Sequence, residues 1–125
     1  VGVLEREKHI RTNVTMVFSP TQANLAMRAG ASFVSIVLSR LESVSIESDR
    51  LIQDTMTIKK QYGFATEIIA GSVKTQPTLL TCLRAGVDIA TIPETLFFQM
   101  YEHPLTVTGL MQFAKDWQSV KRLGA

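Results

Sequence analysis

The sequence predicts an α/β fold of four parallel βα units, (βα)4, either half of a larger structure or a small open sheet, and three observations predict it. Short apolar, β-branched runs recur along the chain, each run ends near a small polar residue, and a helix signal follows. Alternation of this kind marks parallel strands joined by crossover helices. The 125 residues make one domain, about half of the roughly 250 residues of a complete eight-stranded barrel.

The first strand is the run Asn13-Val14-Thr15-Met16-Val17-Phe18-Ser19. Its length and β-branched content favour a buried strand over a helix. Asn13 and Thr15 are two residues apart and so are expected on one side, the interior mouth of a barrel. Ser19 is a fair N-cap, Pro20 suits the first helical position, and Gly30 can stop the helix that carries Leu25, Ala26, Met27 and Ala29. Before this unit, residues 4–9 read as the charged last turns of a helix.

Residues 33–38, Phe-Val-Ser-Ile-Val-Leu, form the second strand, and residues 40–48 are expected to be a loop. A helix over 49–62 follows, with Leu51, Thr55, Ile58 and Tyr62 on one face, Ile52 and Met56 beside them, and Gly63 at its end. The third strand covers 66–70. Thr75-Gln76-Pro77 then opens a helix whose apolar side is Leu79, Leu80, Cys82 and Leu83, closed by Gly86. The fourth strand is expected at 88–92 and a short helix at 95–101. A last helix carries Leu110, Phe113, Ala114 and Trp117 at three-and-four spacing. No Pro- or Gly-rich linker interrupts the chain.

Composition narrows the function classes. Thirteen basic against eleven acidic residues give a net charge of +2 spread along the chain, without the electrostatic footprint of a nucleic-acid binder. The single cysteine, Cys82, has no partner for an internal disulfide and fits a reducing compartment. Apolar runs fall short of a membrane span, and residues 1–8 lack a signal peptide's basic start and apolar core. A soluble, cytoplasmic protein is therefore expected. His9 and His103 stand alone, and no metal site is expected. Lys59 and Lys60 read as a helix exterior.

Several consecutive motifs resemble the transaldolase family, in particular small bacterial transaldolases and fructose-6-phosphate aldolases. They are Thr12-Asn13-Val14-Thr15-Met16-Val17-Phe18-Ser19-Pro20, Ala29-Gly30-Ala31-Ser32-Phe33-Val34-Ser35, Tyr62-Gly63-Phe64-Ala65-Thr66-Glu67-Ile68-Ile69-Ala70-Gly71-Ser72 and Gly86-Val87-Asp88-Ile89-Ala90-Thr91-Ile92-Pro93. His103-Pro104-Leu105-Thr106 and Phe113-Ala114-Lys115-Asp116-Trp117 continue the likeness almost to the end. The resemblance implies the carboxyl-terminal half of a TIM-type barrel. It also implies an enzyme class that forms a Schiff base between a lysine and a ketose phosphate, then cleaves or transfers a dihydroxyacetone unit without a cofactor.

By that resemblance, Thr15 positions the catalytic water, and Asn13 and Ser35 meet the substrate. Arg40, Ser72 and Lys74 match the family's phosphate cradle. Two cations and a hydroxyl at the carboxyl ends of neighbouring strands, beside a helix amino end after Thr75, are a sensible anion site. The expected ligands are thus a phosphorylated sugar or inorganic phosphate. The family's Lys-Val-Pro or Lys-Ile-Pro motif does not occur in the sequence, and Val37 stands where an aromatic residue is usual. Catalysis by these residues unaided is not expected; the alternative is a sugar-phosphate-binding or structural module. Four strands also leave two open edges and an uncovered inner face. Self-association, or a complementary amino-terminal half, is expected to cover them.

Overall fold

A computed structural model describes residues 1–42 and 48–123. They form two compact units, Val1–Pro93 and Glu94–Ala125. In the first unit a π-helical turn, Val3–Glu7, precedes β1 (Asn13–Val17), α1 (Pro20–Arg28), β2 (Phe33–Val37), α2 (Leu38–Glu42), α3 (Ser48–Tyr62), β3 (Glu67–Gly71), α4 (Gln76–Ala85) and β4 (Ile89–Ala90). All four strands are parallel, in the order β1-β2-β3-β4. This is the predicted (βα)4 half-barrel.

Helix boundaries follow the local chemistry. The Ser19 hydroxyl accepts from the Gln22 N–H at 3.2 Å, with Pro20 at the first helical position. Thr75 does the same for the Thr78 N–H at 3.3 Å. Gly30, Gly63 and Gly86 follow α1, α3 and α4 with left-handed φ of 82°, 65° and 77°, conformations in which a Cβ would be strained.

Side chains alternate across the sheet, so register defines two faces. Val34 pairs with Ile68 and Ile36 with Ala70, and all four are at most 1% exposed. With Ala23, Ala26, Met27, Leu51, Ile52, Leu79 and Cys82 they make the core between sheet and helices. Within the helical layer α1 packs beside α3, and α3 beside α4. The opposite face carries Asn13, Phe33 and Glu67 in one row and Ser35, Ile69 and Ile89 in the next. Phe33, Glu67, Ile69 and Ile89 are only half-buried.

Several boundaries and faces differ from the sequence reading. Where a loop was expected after residue 39, β2 passes directly into α2, so Arg40 lies on a helix; residues 43–47 of that expected loop lie outside the described residues. The apolar run ends in Leu38, which is fully buried as the first residue of α2, and an unbroken apolar run carries no period to mark the change. β4 is only two residues long. On α4, Leu79 and Cys82 are buried while Leu80 and Leu83 are exposed, and Tyr62 at the end of α3 is exposed as well. Lys59 is no free exterior lysine: its ammonium pairs with Asp88 at 2.7 Å, and Asp88 also accepts from the Ile68 N–H at 2.7 Å.

The second unit contains α5 (Glu94–Gln99) and α6 (Pro104–Leu123). The Phe97 ring meets Phe98 and Tyr101 edge-on, at 5.8 and 5.3 Å between centroids. On α6, Leu110, Phe113 and Trp117 lie along one helix as expected, but they are exposed.

Candidate functional site

Of the residues singled out in the sequence, Arg40, Ser72 and Lys74 follow the carboxyl ends of β2 and β3, Thr15 and Ser35 lie mid-strand, and Asn13 is the first residue of β1. Asn13 is exposed on β1, and its amide oxygen accepts a hydrogen bond from the Ser35 hydroxyl on β2 at 2.8 Å. With one lone pair of the oxygen engaged by Ser35, the amide NH2 of Asn13 supplies two donors. Ser35 itself is 7% exposed. Thr15 is exposed on β1.

Register sets the phosphate-cradle candidates just past the ends of two neighbouring strands. Val37, the last residue of β2, pairs with Gly71, the last residue of β3. Arg40 lies three residues beyond the first of this pair, on α2, and Ser72 and Lys74 one and three residues beyond the second. All three are exposed. A Cβ on Gly71 would lie 3.1 Å from the Ile36 carbonyl oxygen, which is tight against a backbone atom held in the sheet.

The backbone is bent at both sides of the mouth. Met16 in β1 has a left-handed φ of 61°, where the register with β2 shifts between Val14 and Val17. Ser72 has φ 60°. Such conformations cost non-glycine residues about 1–3 kcal/mol each and collect where a site needs a side chain aimed off the regular path.

Two residues that support the mouth were not singled out in the sequence. The Ser72 N–H donates to the Thr91 hydroxyl at 2.9 Å, and the Val73 N–H donates to the Thr91 carbonyl at 3.0 Å. Thr91 thereby ties the turn after β3 to the residue after β4. The Gln22 side-chain oxygen accepts from the Phe18 N–H at 2.9 Å and so closes the backbone beyond β1. The signal for Thr91 was present: it is a small polar residue at the end of an apolar run, in the pattern of Ser19, Ser39 and Ser72.

Charge and space at the amino ends of the strands have a different character. The Glu5 carboxylate accepts from the Thr12 hydroxyl and N–H at 2.7 and 2.6 Å, and from the Ser32 N–H and hydroxyl at 2.8 and 3.0 Å. These donors, Thr12 first, lower its pKa to about 2. Four donors and one carboxylate make a structural clasp between the first turn and β2. A hollow lined by Arg11, Met27, Ser32, Phe64 and Thr66 lies at this end too, away from Arg40, Ser72 and Lys74. Among the described residues no three His, Cys, Asp or Glu side chains are grouped to hold a metal ion. No helix among them is long and apolar enough to cross a membrane.

Comparison with known proteins identifies the family. Residues 3–124 match the model of a family described as transaldolase/fructose-6-phosphate aldolase. The chain is 46% identical over 114 residues to a probable transaldolase of Symbiobacterium thermophilum, covering 91% of this chain and 53% of that protein. It is 48% identical over 112 residues to a probable transaldolase of Moorella thermoacetica, covering 90% and 52%. A probable transaldolase of Listeria monocytogenes shares 47% over 116 residues, covering 93% and 54%. The chain spans about half the length of the curated relatives it matches. It belongs to the transaldolase/fructose-6-phosphate aldolase family.

Proposed function

We propose that these residues form the substrate-holding side of an aldol site for ketose phosphates. Arg40, Ser72 and Lys74 take the phosphate, the Asn13 amide held by Ser35 donates to the sugar's oxygens, and Thr15 positions a water. The observation that carries this reading is the pairing of Val37 with Gly71, because it sets the two cation-bearing segments side by side at the strand ends. A dianionic phosphate is matched there by two cations, a hydroxyl and the first free N–H groups of α4 behind Thr75.

The reaction of the family's kind needs an amine to add to the ketose carbonyl and lose water as the imine forms. Retro-aldol cleavage then breaks the carbon–carbon bond one removed from the imine carbon: the β-hydroxyl loses its proton, an aldehyde leaves, and after the enamine is protonated water hydrolyses the imine and releases the retained fragment. None of the six lysines stands on a strand, and Lys59 is engaged by Asp88. The amine is therefore assigned to a lysine other than these six. Val37 in the position of an aromatic side chain favours a second reading, in which the site binds sugar phosphate without turning it over.

Borohydride trapping with fructose 6-phosphate, read by intact mass, tests the assignment. The unmodified mass is expected for these 125 residues under conditions in which the Symbiobacterium relative yields a reduced adduct. An adduct on any of the six lysines, Lys74 above all, contradicts it.

A further inference from the structure

Past the end of β3 the alternation of faces slips by one residue. Ile68 and Ala70 are buried against the helices, while Ile69 and Gly71 are only half-buried on the inner face. Continued alternation would turn residue 72 back toward the helical layer and leave residue 73 on the inner side. The reverse is found: Val73 is fully buried and Ser72 is exposed.

The hydrogen bonds account for the slip. The β3–β4 register, Ile69 with Ile89 and Ala70 with Ala90, continues one step further, with the Thr91 N–H donating to the Ala70 carbonyl at 3.0 Å. In an unbroken parallel ladder the Thr91 carbonyl would next accept from the Ser72 N–H. It accepts instead from the Val73 N–H, at 3.0 Å. Ser72 is therefore the extra residue of a β-bulge, with its left-handed φ of 60°. A bulge of this kind strands the N–H of the extra residue, and here the Thr91 hydroxyl accepts it at 2.9 Å. Thr91 thus receives both N–H groups of the bulge, one on its carbonyl and one on its side chain.

We infer that Thr91 is a positioning residue for the phosphate cradle: its hydroxyl holds the Ser72 bulge, and the bulge keeps the Ser72 side chain out of the core and free to meet an anion at the end of β3. This inference rests on the proposed reading of Ser72 as a phosphate ligand. The bulge also gives Val73 the core position that Ser72 would otherwise take, so that Lys74 follows on the exposed side. Left-handed backbone is unfavourable for serine unless the surroundings hold it. Valine at position 91 has nearly the shape of threonine and keeps both backbone hydrogen bonds, but it offers the Ser72 N–H no side-chain acceptor. Residue 72 is then released toward extended conformations.

Nuclear magnetic resonance and a titration with inorganic phosphate, on the unmodified chain, Thr91→Val and Thr91→Ser, test this. The Cα and Cβ shifts of Ser72 read its backbone conformation without any ligand. The left-handed signature is expected in the unmodified chain and in Thr91→Ser, and is expected to weaken in Thr91→Val. Phosphate affinity is expected to fall several-fold in Thr91→Val, the effect of one lost hydrogen bond, and to return in Thr91→Ser. In a Ser72→Gly background, which already lacks the hydroxyl, adding Thr91→Val is expected to change affinity by less than about twofold. An unchanged left-handed signature in Thr91→Val overturns the inference. So does an affinity loss that Thr91→Ser fails to restore, or one that persists undiminished in the Ser72→Gly background. A weakened signature with unchanged phosphate affinity contradicts the cradle reading of Ser72, and with it the part of Thr91 in binding, while the hold of Thr91 on the bulge stands.

Discussion

The Ser35 hydroxyl donates to the Asn13 amide oxygen at 2.8 Å across the β1–β2 pair, and this one contact orients the amide at the start of β1, on the inner face of the half-barrel. A serine in the middle of an apolar strand is otherwise a cost, since an unpaired buried hydroxyl loses its water partners. Ser35→Ala is expected to lower stability by about 0.5–1.5 kcal/mol, measured by urea unfolding. It is also expected to weaken fructose 6-phosphate binding while leaving inorganic phosphate binding unchanged. Parallel losses for both ligands would show that Ser35 serves the phosphate site or the fold rather than Asn13.

Ser72 separates stability from binding. Its φ of 60° is one that glycine adopts freely, so Ser72→Gly is expected to leave stability unchanged or raise it by up to about 1 kcal/mol. The same change removes a hydroxyl from the cradle, and phosphate affinity is expected to fall several-fold. Thermal unfolding and a phosphate titration on one preparation check both halves of the prediction.

Glu5 sets a pH dependence. Its pKa is lowered from 4.5 to about 2 by the Thr12 and Ser32 donors. A carboxylate with a depressed folded-state pKa stabilises the fold above its unfolded value, and that contribution is lost as pH falls through the folded one. The loss attributable to Glu5 therefore falls between about pH 4.5 and pH 2. Glu5→Gln is expected to flatten the stability profile in that window, as read by urea midpoints at successive pH values. An unchanged slope would assign the acid sensitivity to other carboxylates.

The βα alternation was legible because its punctuation is local: Ser19 with Pro20, Thr75 near Pro77, and glycines after three helices each act within a few residues. Asn13 and Ser35 were legible as polar residues interrupting apolar runs. The features that were not legible depend on distant partners or on a continuous apolar run. Glu5 reaches Ser32 across 27 positions, and nothing near either residue announces it. The start of α2 is hidden because Leu38 belongs equally to a strand and to a buried helix turn. Leu80 and Leu83 fit a helical stripe, but α4 turns Leu79 and Cys82 inward instead. The left-handed turn at Met16 has no glycine to mark it.

The most direct measurement is a calorimetric titration of fructose 6-phosphate into the unmodified chain and into Arg40→Ala and Lys74→Ala. The account predicts that either substitution weakens binding by about tenfold, consistent with losing a charge-assisted contact of about 1.5–3 kcal/mol, and that the double substitution abolishes it. Affinity retained by the double variant would contradict the placement of the phosphate between the ends of β2 and β3.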